Sequence, residues 1–195
     1  AHIEKALRHN EIQRVKSSGG EIIIEPIQGT PSLIIFGGGH VSKYISRMAS
    51  MVGFQTTIID DREKFSNANR FPEAQKTLIS DFENAFQKTS IQNSTYIVIV
   101  TRGHQFDEIV LEQAISTSAK YIGMIGSNRK VLATYNHLQA KGISTKQLER
   151  IHSPIGIEIG ATTAEEIAVS IVAELIRVRR GERLPIASKK LKLEQ

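Results

Sequence analysis

Residues 33–42 read Leu-Ile-Ile-Phe-Gly-Gly-Gly-His-Val-Ser and carry the strongest structural signal in the chain. The first four form a short, continuous apolar run, as expected for a strand that is buried on both faces. From Val41 to Val52 the apolar residues have helical spacing, and Gly53 marks the end of that helix. A strand, a glycine turn and a helix in this order predict the first unit of a Rossmann-like sheet.

Strands and helices alternate through the sequence that follows. Apolar and β-branched runs predict strands at 54–59, 76–79, 96–100 and 121–125. Capping residues and helical spacing predict helices from Asp81 to Phe86, from Asp107 to Ser116, from Ser127 to Ala140, and a long one capped by Thr162 or Thr163. This alternation predicts an α/β fold: a Rossmann-like, doubly wound, mostly parallel sheet with helices on both faces. The apolar positions at 167–176 are expected to pack into its core.

The sequence divides into two parts at the break Gly29-Thr30-Pro31. Residues 1–31 form a lead-in segment, in which we predict a short amphipathic helix between Glu4 and Lys16 and a strand over 21–27. Residues 32–195 form the Rossmann-like domain. Its length of about 160 residues suits a single α/β domain.

The glycine turn has the composition of a phosphate-binding site. Read as G-x-G-x-x-[GAS], Gly37 allows the tight turn, Gly39 lets a pyrophosphate approach the backbone, and Ser42 is small enough for close packing of helix on strand. Gly38 and His40 complete the turn, and His40 places an imidazole where a phosphate or pterin would lie. The helix that follows offers free N–H groups to an anion. The alternative is that the glycines only permit a tight turn.

The end of the second predicted strand supplies a candidate partner for a ribose. Asp60 lies 23 residues after Gly37, where an acid binds ribose hydroxyls in dinucleotide sites. Arg62 lies two residues further and could accept a 2′-phosphate instead. The choice between NAD and NADP therefore stays open.

Two further polar segments follow strands at the same edge of the sheet, where ligands of parallel sheets bind. His104 and Asp107 are three residues apart and are candidate catalytic residues, because an aspartate can orient an imidazole for acid–base work. The alternative is that Asp107 only caps a helix and His104 is a loop residue. At the second segment a glycine precedes Ser127, Asn128, Arg129 and Lys130, which together form a candidate anion site at a helix start. No metal site is predicted.

Composition narrows the class of protein. The chain has 195 residues, no cysteine, and 25 Lys+Arg against 20 Asp+Glu. Thiolate sites and disulfides are therefore excluded, which fits a cytoplasmic protein. No apolar stretch approaches the roughly 20 residues of a membrane span. Basic residues cluster from Arg177 to Lys192 without interleaved aromatics, so we predict a solvated helix end and tail, and no nucleic-acid partner.

The ordered set of motifs resembles the C-terminal Rossmann-like domain of the XdhC/CoxI family, the xanthine dehydrogenase accessory proteins. The matching segments are FGGGHV at 36–41, DDR at 60–62, TRGH at 101–104 with Asp107, YIGMIGSNRK at 121–130, SPIG at 153–156 and TAEEIA at 163–168. The resemblance implies a chaperone for maturation of a molybdenum hydroxylase such as xanthine dehydrogenase. It implies molybdenum cofactor (molybdopterin) as ligand, with apo-hydroxylase and a cysteine desulfurase as partners. By the same analogy the glycine turn and residues 127–130 hold its phosphate and pterin parts.

One departure from the family pattern leaves other functions open. Full-length members carry an N-terminal domain with a cysteine-bearing segment, and here only residues 1–31 could be a remnant of it. An accessory role without classical turnover is the favoured expectation. The alternatives are an NAD(P)-dependent oxidoreductase and a nucleotide-sensing or interaction module, and self-association as a homodimer is a further expectation.

Overall fold

A computed structural model describes residues 2–9, 12–17, 19–25 and 29–181. The helices are α1 His2–His9, α2 His40–Met51, α3 His104–Ile115, α4 Asn128–Ala140, α5 Thr145–Leu148 and α6 Ala164–Arg179. The strands are β1 Gln13–Ser17, β2 Gly20–Ile24, β3 Ser32–Phe36, β4 Gln55–Asp60, β5 Lys76–Ile79, β6 Tyr96–Ile99, β7 Tyr121–Met124 and β8 Ile151–His152. A 3₁₀ turn covers Ala85–Lys88.

Six of these strands form one parallel sheet in the order β5-β4-β3-β6-β7-β8. The chain therefore leaves β3 for one side of the sheet and returns to its other side at β6, which is the strand order of a dinucleotide-binding Rossmann domain. The predicted α/β fold with a mostly parallel sheet is confirmed. Because all six strands run the same way, their carboxyl ends lie at one edge, and the strand order reverses there between β3 and β6.

Alternating side chains of the strands build two apolar layers. Ile34 and Phe36 of β3 face the cluster that includes α3 and α4, whereas Leu33 and Ile35 face the cluster that includes α2 and α6. Covering both faces explains why β3 reads as a continuous apolar run. The apolar positions of α6 pack in the second layer as expected: Ala168, Ile171, Val172 and Leu175 are all buried.

Several local expectations were wrong. Between Glu4 and Lys16 the chain forms α1 and then strand β1, which pairs antiparallel with β2, because the helical spacing does not extend past His9. The predicted helix after Asp81 is only a turn, in which Asp81 Oδ1 accepts from Asn84 N at 2.9 Å, followed by the 3₁₀ turn. Helix α3 begins three residues before Asp107. Strand β8 and helix α5 were not predicted, since two and four residues carry no periodic signal.

The basic end of the chain is partly used inside the fold. Arg179 donates from Nη1 to the carbonyl oxygen of Val52 at 2.8 Å and lies over the Phe54 ring. Other predicted members of the basic cluster, from Arg183 to Lys192, lie outside the described residues, as do Pro26 and Ile27 of the strand predicted over 21–27. Among the helices described, none combines the length and apolar character that crossing a bilayer requires.

Candidate functional site

The glycine turn between β3 and α2 is packed tightly against its neighbours. Gly37 has φ +99°, and a Cβ there would lie 2.4 Å from the carbonyl oxygen of Val100. At Gly38 a Cβ would lie 1.9 Å from the carbonyl oxygen of Phe65. Both glycines are therefore required by the packing of the chain on itself.

Gly39 differs from its two neighbours. It has φ −70°, which any residue can adopt, and a Cβ there would meet nothing within 4 Å. It caps the N-terminus of α2 without a side-chain hydrogen bond, and the next residue, His40, is exposed. Gly39 and His40 are therefore the part of the turn that a ligand could reach.

Asp60 lies beneath the glycine turn and is 1% exposed. Its Oδ2 accepts from Gly38 N at 2.8 Å, and Arg62 donates to both carboxylate oxygens, from Nε to Oδ1 at 2.9 Å and from Nη2 to Oδ2 at 3.1 Å. Both residues are therefore engaged within the chain. A role for Asp60 or Arg62 in binding ribose stays a prediction, and it requires them to exchange these partners.

The segment after β4 covers the turn from outside. Arg70 donates from Nε to the carbonyl oxygen of Gly38 at 2.8 Å and from Nη2 to that of Gly39 at 3.1 Å. Arg62 stacks over the Phe65 ring at 3.8 Å. These contacts hold the segment on the turn, so the glycines carry a cover made of the chain itself.

A bidentate ion pair links the ends of β4 and β6 across the same edge. Arg102 Nη1 pairs with Asp61 Oδ1, and Arg102 Nη2 donates to Asp61 Oδ2 at 2.8 Å. The pKa of Asp61 is lowered, mainly because Arg102 donates a hydrogen bond to its carboxylate. Arg102 also lies over the Phe106 ring at 4.2 Å.

A cavity of about 240 Å³ opens between the β6–α3 and β7–α4 connections, and we call it the β6–β7 cavity. From the α3 side it is lined by Thr101, Arg102, Gly103, His104 and Asp107, and from the α4 side by Met124, Ile125, Gly126, Lys130 and Thr134. The structure thus brings together His104, Asp107 and Lys130, which the sequence placed in two separate segments. The glycine turn, Asp60 and Arg62 do not line it, and neither do Ser127, Asn128 and Arg129.

Asp107 is the buried acid of this cavity, with 8% of its surface exposed. Its Oδ1 accepts from Thr101 Oγ1 at 2.7 Å and from Thr101 N at 3.0 Å, and no described residue donates to Oδ2. Burial raises the pKa of Asp107 to about 6, against the opposing effects of Thr101, His104 and Lys130. Asp107 therefore changes charge just below neutral pH.

Residues 127–130 open α4 at the rim of the cavity. Ser127 is the N-cap, and its side chain accepts from Lys130 N at 3.5 Å. All four residues are exposed. Within the described part of the chain, no three or more His, Asp or Glu residues are grouped so that they could hold a metal ion.

Two residues that shape this edge were missed by reasoning from the sequence. Arg70 reaches the glycine turn from more than 30 positions away, a distance that no local pattern reports. Glu174 is 6% exposed on α6, where it binds His152 Nδ1 through Oε1 at 2.5 Å and accepts from Gly156 N through Oε2. A charged residue one turn after Ser170 on the buried face of α6 was the signal that could have found it.

Glu174 supports the 153–156 loop, which lies beside the cavity. Ser153 Oγ and Ile155 N both donate to the carbonyl oxygen of Met124, at 2.9 and 3.0 Å, and Met124 lines the cavity. The side of the loop away from β7 is held by Glu174 through Gly156. The 153–156 loop is therefore a wall that braces the end of β7.

Strand order, glycine turn and an open crevice at the carboxyl edge define an α/β domain of the Rossmann type. The chain belongs to the family of XdhC Rossmann domains, whose pattern matches residues 33–175. The resemblance noted from the sequence is thereby confirmed.

Relatives carry both the sequence and the fold. Over 152 residues the chain is 31% identical to the uncharacterized protein YqeB of Escherichia coli, and over 159 residues it is 30% identical to a probable xanthine dehydrogenase subunit of Bacillus subtilis. These matches cover 77% and 82% of this chain but only 28% and 46% of the two relatives. A crystal structure described as a xanthine dehydrogenase from Bacillus halodurans superposes with a TM-score of 0.69 at 31% identity, over 86% of this chain and 48% of that one.

Proposed function

We propose that this domain is an accessory protein for the maturation of a molybdenum hydroxylase of the xanthine dehydrogenase type, and that it holds a phosphate-bearing cofactor without turning over a metabolite. The names of two relatives both refer to xanthine dehydrogenase, and they support a role of this domain beside an enzyme of that type. The observation that carries the proposal is the contrast between a covered glycine turn and an open cavity beside it.

The covered turn argues against an NAD(P)-dependent oxidoreductase. In a dinucleotide site the backbone amides after the first strand are free to bind pyrophosphate. Here the Gly38 amide is bonded to Asp60 and Arg70 covers the turn, so only the amides from Gly39 onward are left for a phosphate. A cavity of about 240 Å³ is also smaller than the roughly 300–1,000 Å³ that encloses drug-sized ligands, which favours one end of a cofactor over a whole dinucleotide as its occupant.

The residues of the β6–β7 cavity fit a group that is anionic at one end. Lys130 and Arg102 offer cations to a phosphate, and Asp107 Oδ2 offers an acceptor that has no donor among the described residues. Molybdenum cofactor carries a phosphate, and when bound in the hydroxylase it supplies the metal centre of the reaction. The part of this chain would be to hold the phosphate end with Lys130 and Arg102.

The partners follow from the same proposal. An apo-hydroxylase must receive the cofactor, and a cysteine desulfurase is the class of enzyme that supplies sulfur for its terminal ligand. Self-association as a homodimer would be compatible with this arrangement. The β6–β7 cavity is lined by residues of a single chain, so a second copy is not needed to form it.

A reconstitution experiment tests the function. Apo-hydroxylase, isolated molybdenum cofactor and a cysteine desulfurase with cysteine are mixed with the chain, and xanthine oxidation is followed with the wild type and with Lys130→Glu. We expect the wild type to raise the yield of active hydroxylase several-fold, and Lys130→Glu to lose most of that gain. Glu112→Gln, which changes an exposed acid on α3, serves as the matched control.

A parallel calorimetric titration with NAD, NADP, GTP, CTP and molybdenum cofactor separates the alternatives. Tight binding of NAD or NADP, lost in Gly39→Val, together with reduction of a carbonyl compound would overturn the accessory role in favour of an oxidoreductase. Binding of GTP or CTP without any gain in hydroxylase activity would favour a nucleotide sensor.

A further inference from the structure

Basic side chains line the β6–β7 cavity from several directions. Arg102 lies on the connection before α3, His104 begins α3, and Lys130 lies in the first turn of α4. Both helices present their N-termini, the positive ends of their dipoles, toward the rim. At α3 the N-cap is Gly103, so no side chain satisfies the first amides of that helix.

Asp107 does not belong in a simple anion site. It is 8% exposed and lines the cavity together with these cations, and its Oδ2 has no donor among the residues that the structure describes. A ligand that fills the cavity would cut Oδ2 off from solvent, so it should supply a donor there. An ionised carboxylate would also repel a bound anion unless a proton lies between the two oxygens.

We propose that the β6–β7 cavity is a phosphate site in which Asp107 Oδ2 and a phosphoryl oxygen share one proton, while Lys130 and Arg102 bind the other oxygens. The proposal rests on the proposed function only in taking the phosphate to be part of a cofactor. It predicts selectivity for oxyanions that hold a proton, or take one up near pH 6, over sulfate, which stays fully ionised at neutral pH.

The proton count depends on the source of the phosphate. A phosphate monoester loses its last proton near pH 6, and burial raises the pKa of Asp107 to about 6 as well. At pH 7.5 both partners are ionised when apart, so a monoester should take up about one proton from solvent when it binds. Inorganic phosphate keeps a proton at that pH and should bind with little uptake. The other titratable or charged groups that face Asp107 are His104 from α3, Lys130 from α4 and Arg102 from the preceding connection.

The test is calorimetry of the full chain with inorganic phosphate, glycerol 3-phosphate and sulfate at pH 7.5. Repeating each titration in buffers of different ionisation enthalpy gives the number of protons taken up. In the wild type we expect both phosphates to bind at least about tenfold more tightly than sulfate. Proton uptake should approach one for the monoester. In Asp107→Asn, whose amide donates a hydrogen bond, sulfate should bind within about threefold of phosphate and the uptake should disappear.

Three variants make the outcome specific. Lys130→Gln should weaken both phosphates about tenfold, Glu112→Gln should change nothing, and His104→Gln should retain the preference for phosphate over sulfate if the shared proton belongs to Asp107. Equal affinity of the wild type for phosphate and sulfate, unchanged selectivity in Asp107→Asn, or no binding of either phosphate would overturn the inference. Reconstitution of the hydroxylase is measured separately, so it can succeed while this proposal fails, and the reverse also holds.

Discussion

The amide nitrogen of Gly38 donates to Asp60 Oδ2 at 2.8 Å, so the glycine turn already holds a carboxylate that belongs to the chain. In a dinucleotide-binding domain the corresponding region meets the phosphates of a ligand. The internal carboxylate and Arg70 leave Gly39 and His40 as the reachable part of the turn, beside the open β6–β7 cavity.

The tight packing of the turn predicts opposite results for two neighbouring glycines. Gly38→Ala should lower the free energy of unfolding by at least about 2–3 kcal/mol, because the new methyl group would overlap the carbonyl oxygen of Phe65. Gly39→Ala should change it by less than about 1 kcal/mol, since its Cβ has open space and its φ is ordinary. Urea unfolding of the two variants checks this, and equal effects would contradict the described cover.

The two acids at the end of β4 should also differ. Asp60→Asn should cost about 3 kcal/mol of unfolding free energy, because it removes a buried charge that binds Gly38 and Arg62. Asp61→Asn should cost less than about 1 kcal/mol, since its ion pair with Arg102 is partly exposed. Thermal unfolding monitored by circular dichroism measures both. A cost at position 61 as large as that at position 60 would contradict this ranking.

The buried acid of the cavity predicts a pH dependence of stability. The pKa of Asp107 rises from its ordinary value of 3.8 to about 6 in the folded chain, so the folded state binds more protons than the unfolded state between these values. The contribution of Asp107 to the free energy of unfolding therefore falls as pH rises from about 4 to 6, by on the order of 2–3 kcal/mol.

Asp107→Asn should remove this dependence, because the amide cannot ionise and can still accept from Thr101. Relative to the wild type, the variant should be more stable at pH 7.5 than at pH 4.5. Denaturant titrations at the two pH values give the difference in unfolding free energy between the variant and the wild type. If this difference is the same at both pH values, the pKa of Asp107 is not raised by folding.

Glu174 predicts a local effect on the 153–156 loop. Glu174→Gln should weaken the contacts to His152 and Gly156 and cost about 2 kcal/mol. Amide hydrogen exchange should become faster from residue 153 to residue 157. Glu165→Gln on the exposed face of α6 is the control and should leave both stability and exchange nearly unchanged. Faster exchange that is confined to other segments would show that Glu174 does not hold this loop.

The sequence predicted the sheet because its strands are apolar runs that are covered on both faces, as in β3 and β6. Prediction from the sequence failed where an element is short or its apolar residues have no regular spacing, as at β8 and at the turn after Asp81. In the site, the cluster of His104, Asp107 and Lys130 followed from the rule that strand ends share an edge. The cover by Arg70 did not follow, since it depends on a long-range contact between a side chain and backbone carbonyls.

Arg102 belongs to two arrangements at once, because it lines the β6–β7 cavity and also forms the ion pair with Asp61. A ligand that takes this guanidinium must first release it from Asp61, so the measured affinity is the gain at the cavity minus the cost of opening the pair. Asp61 follows Asp60 directly, which is bonded to the glycine turn. Because that cost is absent in Asp61→Asn, this variant should bind phosphate more tightly than the wild type does.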